Sequence, residues 1–228
     1  RLATLTDIQV SVLPDQAQLY LNGELQNDRL VSVSDGPQQL VVVAPGFVGE
    51  SKFLSDDMPE LVRFELEPLK VPSARQFADF HTAFDDVSMN PEQLQGVATG
   101  YPLFDQLLGL RADIAQDPLA ASDSLSALAA RADVGDAAAQ VGAFLLASEG
   151  YADFPAARTN LWLKNASARA GYSLASFYQA LHFRKQQEAI GSFGEPEALE
   201  YQNLLELAER QGLPFSRGEL MLLDGVTE

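Results

Sequence analysis

The side chains best suited to metal or acid–base chemistry include two histidines, His81 and His182. They fall on separate predicted helices and outside any H-E-x-x-H motif, the spacing that places two imidazoles on one helical face around zinc. The chain has no cysteine, which excludes disulfides, thiolate nucleophiles and cysteine-ligated zinc. We therefore predict that both histidines pack between helices or face solvent, and we predict no metal and no cofactor.

Neighbouring carboxylates are the other candidates, at Asp56-Asp57 and Asp85-Asp86. Such pairs can bind calcium or act as acid and base, but among 32 acidic residues adjacency is expected by chance. The serines lack a G-x-S-x-G context, and no phosphate-binding glycine loop occurs. We predict no catalytic residue, and a carboxylate hydrolase stays a third hypothesis that requires a deep pocket with two perturbed acids.

The charge balance limits the partners. In 228 residues, 15 Lys and Arg stand against 32 Asp and Glu, a formal charge of -17, which repels nucleic acid and anionic lipid. This acidity favours solubility or basic partners. No apolar run approaches the roughly 20 residues of a membrane helix. Because the chain begins at Arg1 without methionine, we expect a preceding signal peptide, anchor or domain to be missing from it, and any membrane attachment to depend on that segment.

The first seventy residues predict a small β domain of five short strands. Ile8 to Val12 and Val62 to Leu66 alternate apolar and polar residues, the period of a half-buried strand. Three further apolar stretches are Leu19–Leu21, Leu30–Val33 and Leu40–Val43. They are separated by turn residues such as Asn22-Gly23.

The turns of this region carry a resemblance. The segments concerned are Pro14-Asp15-Gln16-Ala17, Leu19-Tyr20-Leu21-Asn22-Gly23, Asp35-Gly36, Leu40–Val43 and Gly46-Phe47. Over residues 6–68 this order resembles a PEGA domain, a small β module of bacterial extracytoplasmic proteins. The family places Glu and Gly where this chain has Asp15 and Gln16, and its Gly and Thr-Pro are missing from Gln26–Arg29. If position 16 requires positive φ, Gln16 is strained; otherwise the turn is of another type.

The resemblance implies either adhesion to envelope or wall components through loops or an edge strand, or a spacer without a ligand. Tyr20 and Phe47 are the aromatic residues that would contact a sugar. Both are also compatible with core or interdomain packing.

A helical part begins after Pro72. Ser73 and Gln76 predict a capping box, and Phe77, Phe80, Phe84 and Val87 form one apolar stripe along Ser73–Ser88. We interpret the stripe as a core face, with a ligand groove as the alternative. Asn90-Pro91 predicts the next helix start.

An internal repeat organises the rest of the chain. The segment from Gly135 to Ala139 returns as Gly171 to Ala175, 36 positions later (135 to 171), close to the period of paired-helix repeats. The order of the marker residues resembles the SEL-like repeats, relatives of tetratricopeptide repeats; these residues are Gly135, Ala139, Gly150, Trp162, Ala166, Gly171 and Ala175. In this resemblance, small residues let two helices approach and Trp162 fills the gap between them.

Further units are expected on both sides of these two. A third unit should end near Ala208–Gly212 after an insertion within Gln186–Glu197, and an earlier helix pair should start near Pro91. Ser216–Glu219 predicts a capping box for a short final helix. Each unit leaves an apolar face uncovered, so the units should stack in a row.

These observations predict an α+β chain in separate domains. The first is a small N-terminal antiparallel β-sandwich or meander (1–70), followed by a connecting helix (71–91) and an α/α-solenoid of SEL-like repeats (92–228). The resemblances imply a non-enzymatic, periplasmic or extracytoplasmic bacterial scaffold that binds proteins on the concave face of its repeats. The alternative is a sensor that binds glycan or peptidoglycan within a larger membrane protein, such as a receptor kinase.

Overall fold

The computed structural model describes residues 6–34, 36–55 and 59–214. A β region of two sheets precedes eight helices within these residues, which confirms an α+β chain with an N-terminal β part and a helical C-terminal part. Asp35, the predicted Asp56-Asp57 pair and the predicted capping box of Ser216–Glu219 lie outside the described residues.

The β region contains seven strands where described, two more than predicted. They are β1 (Thr6–Leu13), β2 (Gln18–Leu21), β3 (Glu24–Gln26), β4 (Leu30–Val33), β5 (Gln38–Val43), β6 (Glu50–Leu54) and β7 (Leu61–Glu65). One sheet has the order β4-β1-β7 and the other the order β3-β2-β5-β6. Alternate residues such as Ile8 and Val10 of β1 and Leu40 and Val42 of β5 join one hydrophobic cluster, because successive side chains of a strand point to opposite faces.

The expectation of a wholly antiparallel β region is wrong for β1 and β7. These strands pair in parallel, with Val10 opposite Val62 and Val12 opposite Phe64. Between them the chain passes through β2 and β3 of the second sheet, β4 of the first, and β5 and β6 of the second. Apolar alternation predicts which face of a strand is buried but carries no information on strand direction, so the sequence pattern could not reveal this pairing.

The two strands that were not predicted have different causes. β3 pairs with β2 across Asn22 and Gly23, whose φ values of 51° and 85° fit the predicted tight turn. β6 is an edge strand with the polar residues Glu50, Ser51 and Lys52. Such an edge needs no apolar alternation, so its sequence has no strand pattern.

Gln16 does not have the backbone conformation that requires glycine. Within the described residues, Asn22 alone among non-glycine residues has positive φ. The Ala17 N–H donates to the Pro14 carbonyl at 3.0 Å and closes the turn. The Pro14–Ala17 turn is therefore of another type, without strain at Gln16.

The helical part follows in chain order. Its helices are α1 (Ala74–Phe84), α2 (Pro91–Gln95), α3 (Pro102–Gln116), α4 (Ser122–Asp133), α5 (Ala137–Ser148), α6 (Ala156–Ala168), α7 (Ser173–Ala189) and α8 (Glu195–Arg210). Both predicted helix starts are confirmed, because Ser73 with Gln76 and Asn90 with Gln93 form reciprocal capping boxes. The segment predicted to hold an insertion, residues 186–197, covers the end of α7, the following loop and the start of α8.

The apolar stripe of α1 is shorter than predicted. Phe77, Phe80 and Phe84 are buried, whereas Val87 is 86% exposed. The helix ends at Phe84 and its C-cap is Asp85, so Val87 no longer follows the helical period. The prediction is therefore wrong for Val87.

From α4 to α8, each helix packs against the next one in the chain. In addition, α5 contacts both α3 and α7, and α3 contacts α1. These contacts share one hydrophobic cluster, distinct from that of the β region. The odd-numbered helices α3, α5 and α7 thus lie next to one another.

One buried carboxylate joins the β region to the helices. Asp136 is 2% exposed and is the N-cap of α5, accepting from the Ala138 and Ala139 N–H groups. Its other oxygen accepts from Arg131 Nε at 2.7 Å and from the Gly49 N–H at 3.1 Å. A Cβ at position 49 would lie 2.7 Å from this oxygen, so glycine permits the close approach.

Candidate functional site

The helical part carries a groove between α1, α5 and α7, with a cavity of about 350 Å³. We name it the α1–α5–α7 groove. It is lined by Phe77, His81, Asp85, Phe144, Leu145, Ser148, Glu149, Tyr178, Leu181, His182 and Lys185. Its volume lies at the lower end of ligand-binding pockets, which measure about 300–1,000 Å³.

Aromatic packing holds α1 beside this groove. The Phe80 ring stacks on Phe104 of α3 with centroids 4.1 Å apart, and Phe77 meets Phe177 of α7 edge-on at 5.2 Å. Offset-stacked and edge-to-face pairs of this kind stabilise beyond the area they bury. The apolar face of α1 therefore covers part of the surface that α3 and α7 present.

A buried guanidinium fixes the C-terminal end of α1. Arg111 of α3 is 4% exposed and donates to the carbonyl oxygens of Ala83 and Asp86, the latter at 2.7 Å. Helix C-termini leave carbonyl groups unsatisfied and carry partial negative charge. Arg111 supplies both the hydrogen bonds and the opposite charge. The Tyr151 hydroxyl is a further donor at this helix end and bonds to the Phe84 carbonyl at 3.1 Å.

A chain of three polar side chains crosses the groove wall. His81 Nδ1 is 3.0 Å from Asp85 Oδ2, and His81 Nε2 is 2.8 Å from the Tyr178 hydroxyl. Burial raises the pKa of Tyr178 well above its usual value, and the nearby Asp85 carboxylate raises it further. The phenol therefore stays protonated, and with a neutral imidazole that carries its proton on Nδ1 it donates to Nε2 while Nδ1 donates to Asp85.

His182 contributes the second imidazole of the groove. Its ring meets Phe144 of α5 edge-on at 5.1 Å, and its Nε2 lies 2.9 Å from the amide nitrogen of Gln186. Burial lowers the pKa of His182, and the charge of Lys185 lowers it further. The neutral imidazole is thus favoured near neutral pH.

The two histidines were predicted on separate helices, and they lie on α1 and α7. The structure nevertheless brings both to one groove, which their sequence separation does not indicate. Tyr178, Leu181 and Lys185 were missed as groove residues, although their three- and four-residue spacings place them on one face of a helix. Within the described residues, no group of three or more His, Asp or Glu could hold a metal ion.

Asp85 and Asp86 do not face each other as an acid–base pair. Asp85 contacts His81, whereas Asp86 accepts from the hydroxyl and the backbone N–H of Ser88. The two bonds from Ser88 lower the pKa of Asp86. Asp85 alone of the pair lines the groove.

The predicted repeat residues lie in turns and helix contacts rather than in the groove. Gly135, Gly150 and Gly171 have positive φ of 98°, 76° and 63° at turns before α5, after α5 and before α7. Ala139, Ala166 and Ala175 are completely buried, and Trp162 is 3% exposed. The Trp162 indole N–H donates to Asp133 at 3.2 Å. The assignment of these residues to SEL-like repeats stays a prediction.

The two aromatic residues predicted for sugar contact are separated. Phe47 is half-buried against the β cluster and forms a bridge with Pro68. Tyr20 instead lines an open cleft of about 670 Å³ between strands β2 and β5 and helix α4, with Asn22, Gln39 and Asp133. Among the described residues, the buried Gln39 Nε2 has no hydrogen-bond partner.

Comparisons with known proteins identify no relative. No family model, no curated protein and no solved structure matches the chain significantly. The PEGA and SEL-like resemblances therefore stay predictions, and function has to be argued from the groove and the cleft. Over the described residues, every helix is too short or too polar to cross a lipid bilayer.

Proposed function

We propose that the chain is a non-enzymatic scaffold of the bacterial cell envelope that holds a partner protein in the α1–α5–α7 groove. The single observation that carries this proposal is the groove itself, a cavity of about 350 Å³ on one side of neighbouring helices. Its floor includes Phe144 and Leu181, and its edge carries exposed Glu149 and Lys185. An apolar floor with a polar edge is typical of helix-in-groove recognition.

The proposal includes a solenoid of SEL-like repeats. Two features support it. From α4 to α8, each helix contacts the next one in the chain, and α5 also contacts α3 and α7, which lie two elements away in sequence. The repeated positions are alike, since Gly135 and Gly171 both have positive φ and Ala139 and Ala175 are both completely buried. Stacked repeats of this kind present an extended concave surface.

The proposal of a binding role rather than catalysis rests on the hydrogen bonds of the groove. His81 is hydrogen-bonded to both Asp85 and Tyr178, and the Tyr178 hydroxyl is held protonated by burial. A phenol in this state is a poor nucleophile. The periplasmic or extracytoplasmic location rests on the family resemblances, and membrane attachment would require a segment outside this chain.

The test blocks the groove with one bulky side chain. Leu181→Trp fills the groove, and Leu199→Trp, at an exposed residue of α8, is the matched control. Tagged protein is used to capture partners from bacterial envelope extract, and the recovered protein is purified for a measurement of Kd. We expect Leu181→Trp to abolish binding and Leu199→Trp to leave it unchanged. Equal binding by all three proteins would exclude the groove as the partner site.

A second candidate function is binding of glycan or peptidoglycan at the cleft of Tyr20, as the sensor part of a larger membrane-anchored protein such as a receptor kinase. The observation that favours it is the Gln39 Nε2 in the same cleft as Tyr20, which has no hydrogen-bond partner in the described part of the chain, because sugars offer hydroxyl acceptors and an apolar ring face. Soluble peptidoglycan fragments are titrated calorimetrically. Tyr20→Ala should abolish the heat of binding, and Leu30→Ala, at an exposed residue of β4 in the other sheet, should not. Absence of binding by the unaltered protein removes this candidate.

A further inference from the structure

The edge of the α1–α5–α7 groove is made where two helices end. Asp85 is the C-cap of α1 and Glu149 is the C-cap of α5, and both residues line the groove. A helix C-terminus carries about half a negative charge. Two carboxylates and two helix ends therefore lie at the same cavity.

The fields of the two carboxylates overlap at a neighbouring phenol. Burial raises the pKa of Tyr151, Arg111 lowers it, and the charges of Glu149 and Asp85 each raise it further. One hydroxyl is thus affected by both carboxylates, and both line the same cavity. Their combined field favours a cation.

Two positive charges of the chain lie nearby and do not fill this position. Arg111 is buried and its guanidinium donates to the carbonyls at the end of α1. Its charge therefore offsets the partial negative charge of that helix end. Lys185 is exposed on α7 and lines the groove from another helix. His182 is neutral near neutral pH, as argued from its burial.

The lining of the groove is largely aromatic. The rings of Phe77, Phe144 and Tyr178 line the cavity together with the imidazole of His182. The face of an aromatic ring is negative and attracts a cation within about 6 Å. Aromatic faces and carboxylates together are the environment in which a Lys or Arg side chain binds with both its alkyl stem and its charge.

We propose that the groove binds a segment of the partner through a Lys or Arg side chain, whose stem lies over Phe77 and Phe144 and whose charge pairs with Asp85 and Glu149. This inference rests on the proposed function and names the chemistry of the partner. The formal charge of -17 on the chain supports it, because long-range attraction speeds the approach of a basic segment.

The test uses two labelled amphipathic peptides of 14 residues that differ only in having Lys or Glu at every polar position. Binding is measured by fluorescence anisotropy at about 0.15 M salt, where charges beyond about 8 Å are screened. Asp85→Asn with Glu149→Gln removes the two groove charges. Glu60→Gln with Glu200→Gln removes two exposed charges elsewhere and gives the same net charge.

We expect the Lys peptide to bind and the Glu peptide not to bind. The groove variant should weaken binding of the Lys peptide about tenfold, and the control variant less than about twofold. Circular dichroism checks the fold, and Glu149→Gln alone replaces the double variant if that variant does not fold.

The outcomes separate this inference from the proposed function. If Leu181→Trp abolishes binding of the Lys peptide but the groove and control charge variants behave alike, the groove binds and the assignment of the cation is wrong. If Leu181→Trp has no effect either, the proposed function also fails. Equal binding of the two peptides, or no binding of the Lys peptide, overturns the cation proposal.

Discussion

Helix α1 divides the surface of α3, α5 and α7 into a covered part and an open part. In the covered part Phe80 and Phe84 are completely buried, and Arg111 satisfies the carbonyls at the end of the helix. In the open part His182 and Leu181 are half-buried, and Glu149 is exposed. The chain thus uses its own helix where dry aromatic packing is possible and leaves the mixed polar part uncovered. The covered part should determine stability, and the open part should determine binding.

The largest loss of stability should come from a substitution at the centre of the covered part. Phe80→Ala removes a completely buried ring stacked on Phe104 and should lower the free energy of unfolding by about 3–5 kcal/mol. Urea unfolding measures it. Leu181→Ala in the open part is the comparison, with an expected loss of about 1 kcal/mol. Equal losses at the two sites would contradict the division into a structural and a binding part.

The second largest loss of stability should come from a substitution of Arg111. Arg111→Met keeps most of the side-chain volume but leaves the Ala83 and Asp86 carbonyls without their donor, at an expected cost of about 2–4 kcal/mol. Arg75→Met is the matched control, because Arg75 forms an exposed ion pair with Asp79 worth at most about 1 kcal/mol. Chemical unfolding of both variants gives the values. If the two arginines prove equivalent, Arg111 does not hold the end of α1.

A smaller effect is expected at the boundary between the two parts. Tyr178→Phe removes the hydroxyl that is hydrogen-bonded to His81 Nε2 and should lower the free energy of unfolding by about 1 kcal/mol. The ¹⁵N chemical shift of Nε2 should also change, since this nitrogen loses its hydrogen-bond partner. An unchanged imidazole spectrum would show that Tyr178 and His81 are not hydrogen-bonded in solution.

The smallest effect should be a pH dependence from the open part. Burial lowers the pKa of His182 in the folded chain, whereas the unfolded chain keeps the ordinary value of about 6.5. Above that pH neither state binds the proton. As the pH falls below it, the unfolded state takes up more protons and stability decreases.

Urea midpoints at pH 7.5 and 5.5 test this dependence. His182→Asn should reduce the loss of stability between the two pH values. Lys185→Met should reduce it by less, because Lys185 is the smaller of the two causes that lower the pKa. An identical loss in the unaltered protein and in His182→Asn would exclude His182 as its source.

Local chemistry allowed several elements to be predicted. The capping box at Ser73, the helix start at Asn90-Pro91 and the turn at Asn22-Gly23 form as expected. All three depend on groups within four residues of one another, such as an oxygen beside free helix N–H groups. The prediction for Val87 failed because apolar periodicity does not indicate where a helix ends.

The candidate site was harder to predict because it depends on contacts between distant parts of the chain. Both histidines could be assigned to helices, but the groove requires α1 to lie beside α5 and α7, and these helices come from distant parts of the chain. Likewise, the parallel pairing of β1 with β7 depends on the path of the intervening chain. No short-range pattern encodes either arrangement.

From its residues alone, this chain specifies two kinds of structure, an acidic surface charge, several caps and turns, and the absence of cysteine chemistry. These properties follow from composition and from interactions between near neighbours. Which helices meet, which part of their surface α1 covers, and which cavity Asp85 and Glu149 both line follow from long-range packing. Burial of apolar surface is non-directional, so the shapes of whole elements select the contacts, and the groove exists only once those elements are assembled.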